Sequence, residues 1–371
     1  MFHPADATGV PGRHEHDRAD AATIAKLLAA GLLKPGRPII EALEDMRGIF
    51  RVAGCLERDR TALKNRIKKQ LDRAGFRPQG FDLNTQWALD LTYHLVSNEG
   101  SIRDLISSFG IEGSDTQQHA SVFERNRHKF GTFLDVVLSH GERALVKQDL
   151  AELEFKSARL TLLAVEIDSI IATRPGLKLV IENIASIPGI TPYSAAWLVA
   201  ETGHAAKYQN VKRFLSYCGC CPRIVASAGK VYSAHINRHS NPFARTILFN
   251  AARVVTYLVK KDSELKQYAA RIAARKKGRG MALVACIVAA KIGRIAYALM
   301  RDGTSFASDK ACNAYAPKRD SQGLLTVTDR KELRKARNCL KRVAEIEAMG
   351  SIIKKNAEYF ADALDRALRE N

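Results

Sequence analysis

The chain has 371 residues, 46% of them hydrophobic and 26% charged, the make-up of a folded protein with room for two or three domains. Lys and Arg number 58 against 39 Asp and Glu, and the resulting net charge of +19 points to a polyanionic partner. No uninterrupted apolar run reaches the ~20 residues of a membrane span. The start, Met1-Phe2-His3-Pro4-Ala5-Asp6, lacks the basic-then-apolar order of a secretory signal, and seven cysteines are an odd count for a disulfide framework. These features predict a reduced, cytoplasmic protein with no membrane partner.

In chain order, the Ala/Leu-rich stretch Ala21–Leu33 reads as a helix stopped by Pro35-Gly36. Ile39–Ala74 predicts a long amphipathic helix, its stripe carried by Met46, Ile49, Phe50, Ala53, Leu56, Leu63, Ile67 and Leu71. The opposite face holds Arg58, Arg60, Lys64, Arg66, Lys68, Lys69 and Arg73 with few acids nearby, which suits either solvent or phosphate. Gln79–Leu138 is mixed and broken by glycines. Gly141–Ala172 predicts a second long helix: Val146, Leu153, Leu160 and Ile167 recur every seven residues, with Leu150, Ser157, Ala164 and Ile171 four beyond each. That spacing is a coiled-coil seam, open to pairing within the chain or between two chains. Arg174-Pro175-Gly176 ends it and marks the main boundary. A helical segment from Leu177 to about Phe306 follows, interrupted around Pro222–Pro242, then a linker at Ser308–Leu325 and a charged helical tail over Thr328–Arg369.

Four constellations carry possible chemistry. In Ile184–Gly203 two helices flank Ile187-Pro188-Gly189-Ile190, a helix-hairpin-helix-like turn whose backbone N–H groups at Gly189 and Ile190 suit a phosphate oxygen; a plain helical hairpin reads the same way. Ser227 stands among small neighbours in Val225-Ala226-Ser227-Ala228-Gly229-Lys230, where Lys230 is placed to steady a phosphate; a simple turn is the alternative. Cys218, Cys221, His235 and His239 have two-Cys, two-His zinc spacing but lack the aromatic and leucine core of such fingers. Asp17 and Asp20, three apart, suit either a hard cation such as Mg²⁺ or the start of a helix. The cluster Arg271–Arg279, with Arg275, Lys276, Lys277 and Arg279, adds phosphate contacts beside Arg238 and Arg245.

Together these residues resemble the DEDD-type transposases of insertion-sequence family 110, including its 1111 and 116/902 subgroups. The resemblance covers about residues 3–306. It rests on His3-Pro4-Ala5-Asp6, Asp17-Arg18-Ala19-Asp20-Ala21, Lys64-Asn65-Arg66-Ile67, Ile187-Pro188-Gly189-Ile190 and Ser227-Ala228-Gly229-Lys230. His235-Ile236-x-Arg238-x-x-Asn241-Pro242 and Arg301-Asp302-Gly303-Thr304 complete it. It implies a mostly α chain: the remnant of a RuvC/RNase H-like α/β domain with a basic helix over 1–75, a helical coiled-coil segment over 76–175, a helix-hairpin-helix-containing serine transposase domain over 176–306, and a linker and charged helical tail over 307–371. It implies that Ser227 attacks DNA to form a phosphoserine ester, and that Asp17 and Asp20 are the last two of four Mg²⁺-binding acids. A structured guide RNA and a homo-oligomer built through the coiled coil are further implied partners. The family's first aspartate and its glutamate lie upstream of the segment equivalent to His3, so the chain by itself is expected to be catalytically incompetent. A non-catalytic DNA- or RNA-binding protein is the competing expectation.

Overall fold

In the computed structural model the described residues are 17–31, 41–78, 81–97, 135–227, 230–236, 240–259, 263–275, 281–306, 330–345, 361–362 and 365–366. They are mostly helical. The helices are α1 (Asp17–Ala29), α2 (Glu41–Arg73), α3 (Gln86–Ser97), α4 (His140–Ala172), α5 (Pro175–Ala185), α6 (Pro192–Thr202), α7 (Val211–Tyr217), α8 (Pro242–Arg253), α9 (Glu264–Arg275), α10 (Met281–Asp302) and α11 (Arg330–Glu345). A single π-helical turn, Val254–Leu258, follows α8. Between α7 and α8 stands one antiparallel hairpin, β1 (Pro222–Ser227) and β2 (Lys230–Ile236). The sequence shows only an interruption there, because neither strand is long and the connection lacks an Asn-Gly or Asp-Gly signal.

Contacts divide the chain into two compact units, each discontinuous in sequence. The first holds Met1–Phe50 and Ile167–Val327, the second Arg51–Glu166 and Thr328–Asn371. Of the three boundaries, two fall inside the long helices α2 and α4 and the third lies at Val327/Thr328, so the units group the chain differently from four consecutive segments. Pro175 does not divide the units; it occupies the first turn of α5, where its missing N–H costs nothing.

In the second unit the stripe of α2 and the seam of α4 meet one core. Leu63, Ile67 and Leu71 pack with Val146, Leu150 and Leu153, joined by Leu83, Leu91 and Phe76. A capping box starts α4: the Ser139 hydroxyl accepts from the Glu142 N–H at 3.3 Å, and the Glu142 carboxylate accepts from the Ser139 N–H at 2.9 Å. The seam is therefore buried inside the chain at these positions. The basic face of α2 is also less bare than its sequence reads. Arg66 grips Asp149 with both arms of its guanidinium (Nε to Oδ2 2.7 Å), and Lys68 lies 3.8 Å from Asp82. The balancing acids come from elements distant in sequence. Helix α11 buries Leu333, Ala336 and Leu340 against Ala158.

The first unit is built on α10. Val284, Ala285, Val288, Ala289, Ile292 and Ala296 form its buried face, against which α8, α7 and α9 pack. By length and composition α10 could cross a membrane, but its apolar residues lie at the centre of this core. Aromatic rings knit α2, α6 and α8 together: Phe50 stacks on Trp197 at 5.4 Å and meets Tyr193 edge-on at 5.1 Å, and Trp197 touches Phe243 at 5.6 Å.

The turn between α5 and α6 is folded inward. Ile187 and Ile190 are buried, and the Ile190 N–H donates to the Ile187 carbonyl at 3.1 Å, so neither the side chain nor the N–H of Ile190 is presented to a phosphate as expected. Gly189 adopts φ +86°, and a Cβ there would stand 2.7 Å from the Ala251 carbonyl oxygen. Gly189→Ala should therefore cost about 2 kcal/mol or more through left-handed strain and displacement of α8. Denaturant unfolding of the variant measures it; an unchanged midpoint would contradict this packing.

Candidate functional site

The hairpin is an excursion of the chain from the helical first unit, and its root is built from groups on three helices. Helix α7 starts at Asn210, whose side chain accepts from the Arg213 N–H, and stops at Cys218. Helix α8 starts at Asn241, whose carboxamide oxygen accepts from the N–H groups of Phe243 and Ala244 at 3.0 Å each, with Pro242 following. This is an N-cap with proline at the first helical position, two rules acting on one dipeptide.

The two edges of the excursion are tied directly. The Asn241 N–H donates to the Tyr217 carbonyl at 2.7 Å. Gly219, at φ +70°, lies so close to Ser240 that a Cβ would stand 2.5 Å from its Oγ and 3.1 Å from Cδ of Arg245. Arg245 Nη1 in turn donates to Ser240 Oγ at 3.1 Å. Arg245 was expected on a phosphate; in the structure it is half-buried and braces this neck.

Beneath the neck lies a buried polar cluster. Glu201, on α6, is fully enclosed, and its Oε2 accepts from Asn241 Nδ2 at 2.7 Å. Asn241 Nδ2 also reaches Tyr217 Oη at 3.2 Å, while the Tyr217 hydroxyl donates to the Glu201 backbone carbonyl at 2.9 Å. Burial pushes the Tyr217 phenol above its usual range, partly offset by the Asn241 hydrogen bond. The neighbouring Tyr208 phenol, which donates to the Thr202 carbonyl at 2.7 Å, is raised for the same first reason, so both hydroxyls remain protonated donors. Lysine 207 is pushed down by burial and by the nearby Arg47 charge. Glu201 and Tyr217 were missed by the sequence reading. The lone acid inside the apolar helix Pro192–Thr202 was the available signal, since a carboxylate on such a face must find buried donors.

The expected site residues are distributed as follows. Ser227 is the last residue of β1 and pairs in register with Lys230, the first of β2, across the connection Ala228-Gly229, which lies outside the described residues. His235 pairs with Arg223 near the root. The register shifts between Val225 and Ala226, leaving Tyr232 as an extra residue on β2, a bulge of the kind that re-aims strand ends. The hairpin is described by its backbone, and its side chains lie outside what the structure describes. Arg275 is the exposed last residue of α9. Arg238, His239, Lys276, Lys277 and Arg279 lie outside the described residues, as does His3-Pro4-Ala5-Asp6.

Asp17 and Asp20 occupy the first turn of α1, with side chains outside the description. Among the described residues no group of three or more His, Cys, Asp or Glu side chains could hold a metal ion, and no step is assigned to a metal. Of the zinc-spaced set, Cys218 is fully buried at the end of α7, where burial first and then Cys220 and Cys221 hold its thiol well above the usual value. Burial first, and then Cys221 and Cys286, likewise push the Cys220 thiol up to about 12. Iodoacetamide at neutral pH should therefore modify exposed Cys55 well before Cys218, read by peptide mass spectrometry; rapid labelling of Cys218 in the folded chain would contradict the enclosure.

Comparison with known proteins concerns this same region. Residues 181–270, from the end of α5 through the hairpin into α9, match the model of the transposase IS116/IS110/IS902 family. A putative transposase, y4pF/y4sB, of Sinorhizobium fredii is 28% identical over 127 residues, 34% of this chain and 32% of that protein. A probable family 20 transposase of Pseudomonas aeruginosa is 26% identical over 127 residues, 34% of this chain and 37% of its own length. The transposase for insertion sequence element IS1328 of Yersinia enterocolitica is 26% identical over 125 residues, with the same shares. The matched stretch spans about a third of each of these relatives. The hairpin and its helical support thus lie within a segment that is similar to the IS116/IS110/IS902 transposase family.

Proposed function

We propose that the chain acts on DNA as a transposase, with Ser227 as the nucleophile of a strand-cleaving and rejoining reaction. The observation that carries the reading is the pairing of Ser227 with Lys230 at the closed end of a hairpin, inside the segment that matches the transposase family. Residues directly opposite in an antiparallel pair share one face, with Cβ atoms ~4.5–5.5 Å apart. A serine hydroxyl and a lysine ammonium so related can meet one phosphodiester together. Ser227 Oγ forms the bond to phosphorus, and one P–O bond to a deoxyribose oxygen breaks. The serine proton ends on the released hydroxyl. Attack of a deoxyribose hydroxyl on the phosphoserine reverses the step and frees the serine. The number of ester bonds is unchanged, so no external energy source is needed. Lys230 opposes the charge that grows on the phosphoryl oxygens.

Around the hairpin, Arg238, His235 and the Arg275, Lys276, Lys277 and Arg279 cluster are assigned to phosphate contacts, supported by the net charge of +19. Arg245 contributes by bracing the neck. The helix-hairpin-helix turn is left with a packing role at Ile190. Asp17 and Asp20 are assigned as metal-binding acids on the resemblance alone. A guide RNA rests on the same footing, and a second copy of the chain draws no support from the seam positions buried within the units.

The test uses the full chain and labelled duplex DNA carrying the sequences that flank its coding region. The family resemblance implies a chain that is catalytically incompetent by itself, but the proposed serine step draws only on Ser227 and Lys230, so wild-type chain should give a DNA adduct that survives denaturing electrophoresis. Ser227→Ala should give none, while binding DNA within about twofold of wild type, because a hydroxyl adds little to a largely electrostatic affinity. An adduct in the alanine variant would overturn the assignment. Equal binding by both with no adduct from either would establish the non-catalytic binding protein instead.

A further inference from the structure

We infer that Glu201 is a positioning residue for the Ser227 hairpin: through Asn241 and Tyr217 it locks the neck from which the hairpin projects. The inference rests on the reading of Ser227 given above, and it concerns residues that lie at the other end of the strands from that serine.

The geometry is a closed circuit. Glu201 Oε2 holds Asn241 Nδ2 at 2.7 Å, the Asn241 N–H holds the Tyr217 carbonyl at 2.7 Å, and the Tyr217 hydroxyl returns to the Glu201 carbonyl at 2.9 Å. Asn241 is thereby used at every polar atom of its side chain: Oδ1 caps α8, and Nδ2 is held by Glu201 and Tyr217. Glu201 fixes which way the carboxamide faces. With its acceptor removed, a flipped amide would satisfy Nδ2 elsewhere and abandon the cap. The circuit spans α6, the end of α7 and the start of α8, so it ties the entry and the exit of the hairpin to a third element.

A lever makes that root matter. From Pro222 to Ser227 the strand rises five residues, about 17 Å at ~3.3 Å per residue. A tilt of about 3° at the root therefore moves the tip by roughly 1 Å, a displacement that can cost on the order of a hundredfold in a reaction that depends on alignment. A buried carboxylate that never touches DNA can thus govern the rate while leaving affinity to the surface cations.

Four variants of the full chain test this by hydrogen exchange of the backbone amides of 223–227 and 230–236, a readout independent of chemistry at Ser227. Glu201→Ala should raise their exchange about tenfold or more, the scale of one lost buried hydrogen bond. Glu201→Gln keeps an acceptor for Asn241 and should stay within about threefold of wild type. Asn241→Asp keeps the cap but sets two carboxylates face to face, and should behave like the alanine variant. Combining it with Glu201→Gln restores a donor–acceptor pair and should recover most of the protection. Adduct formation at saturating DNA should fall and recover in the same order, with DNA affinity unchanged. Unaltered hairpin exchange in a folded Glu201→Ala chain would overturn the inference. If that variant does not fold, failure of the double variant to regain the protection lost by Asn241→Asp overturns it instead. If wild type forms no adduct but the exchange ranking holds, the locking role stands and the chemistry assigned to Ser227 fails.

Discussion

The hydrogen bond from the Asn241 amide to the Tyr217 carbonyl closes a neck, and the candidate site depends on that closure. Between these residues the chain leaves a helical unit, forms two strands and returns. A two-stranded hairpin alone is marginal in water. Its strands gain a fixed origin only because their ends are held together and buried polar groups around them are satisfied. Gly219 allows the second point of closure, since any side chain there would displace Ser240 and Arg245. The aromatic packing of Phe50, Tyr193, Trp197 and Phe243 sets the helices α6 and α8 on which the neck is mounted.

Much of the helical scaffold was legible. The apolar stripe of Met46 to Leu71 and the seam of Val146 to Ile171 follow helical periodicity, and most of both sets is buried, with Ile49, Ser157 and Leu160 half-buried. Asn241-Pro242 could be read as a helix start from local chemistry alone. The hairpin could not, because Ala228-Gly229 gives no strong turn signal and the bulge breaks strand alternation. The boundaries at Phe50/Arg51 and Glu166/Ile167 were hidden because they fall within uninterrupted helices, where no composition change marks them, whereas the one at Val327/Thr328 coincides with the start of the charged tail read from the sequence. The role of Glu201 was hidden because its partners lie 16 and 40 residues away.

Charge shows a similar limit. Arg66 looks like a surface cation for phosphate, but Asp149 from α4, 83 residues on, engages it. Arg245 is drawn into the neck by Ser240. Net charge identifies the kind of partner a chain attracts; which cations meet that partner is decided by the acids and hydroxyls that folding brings beside them.

The most direct test of this account is a scalar coupling transmitted through the hydrogen bond between the Asn241 amide nitrogen and the Tyr217 carbonyl carbon, recorded by NMR on deuterated chain. The account predicts a resolved correlation, comparable with those inside α8. Absence of that correlation while the α8 couplings are observed would show an open neck and contradict the account.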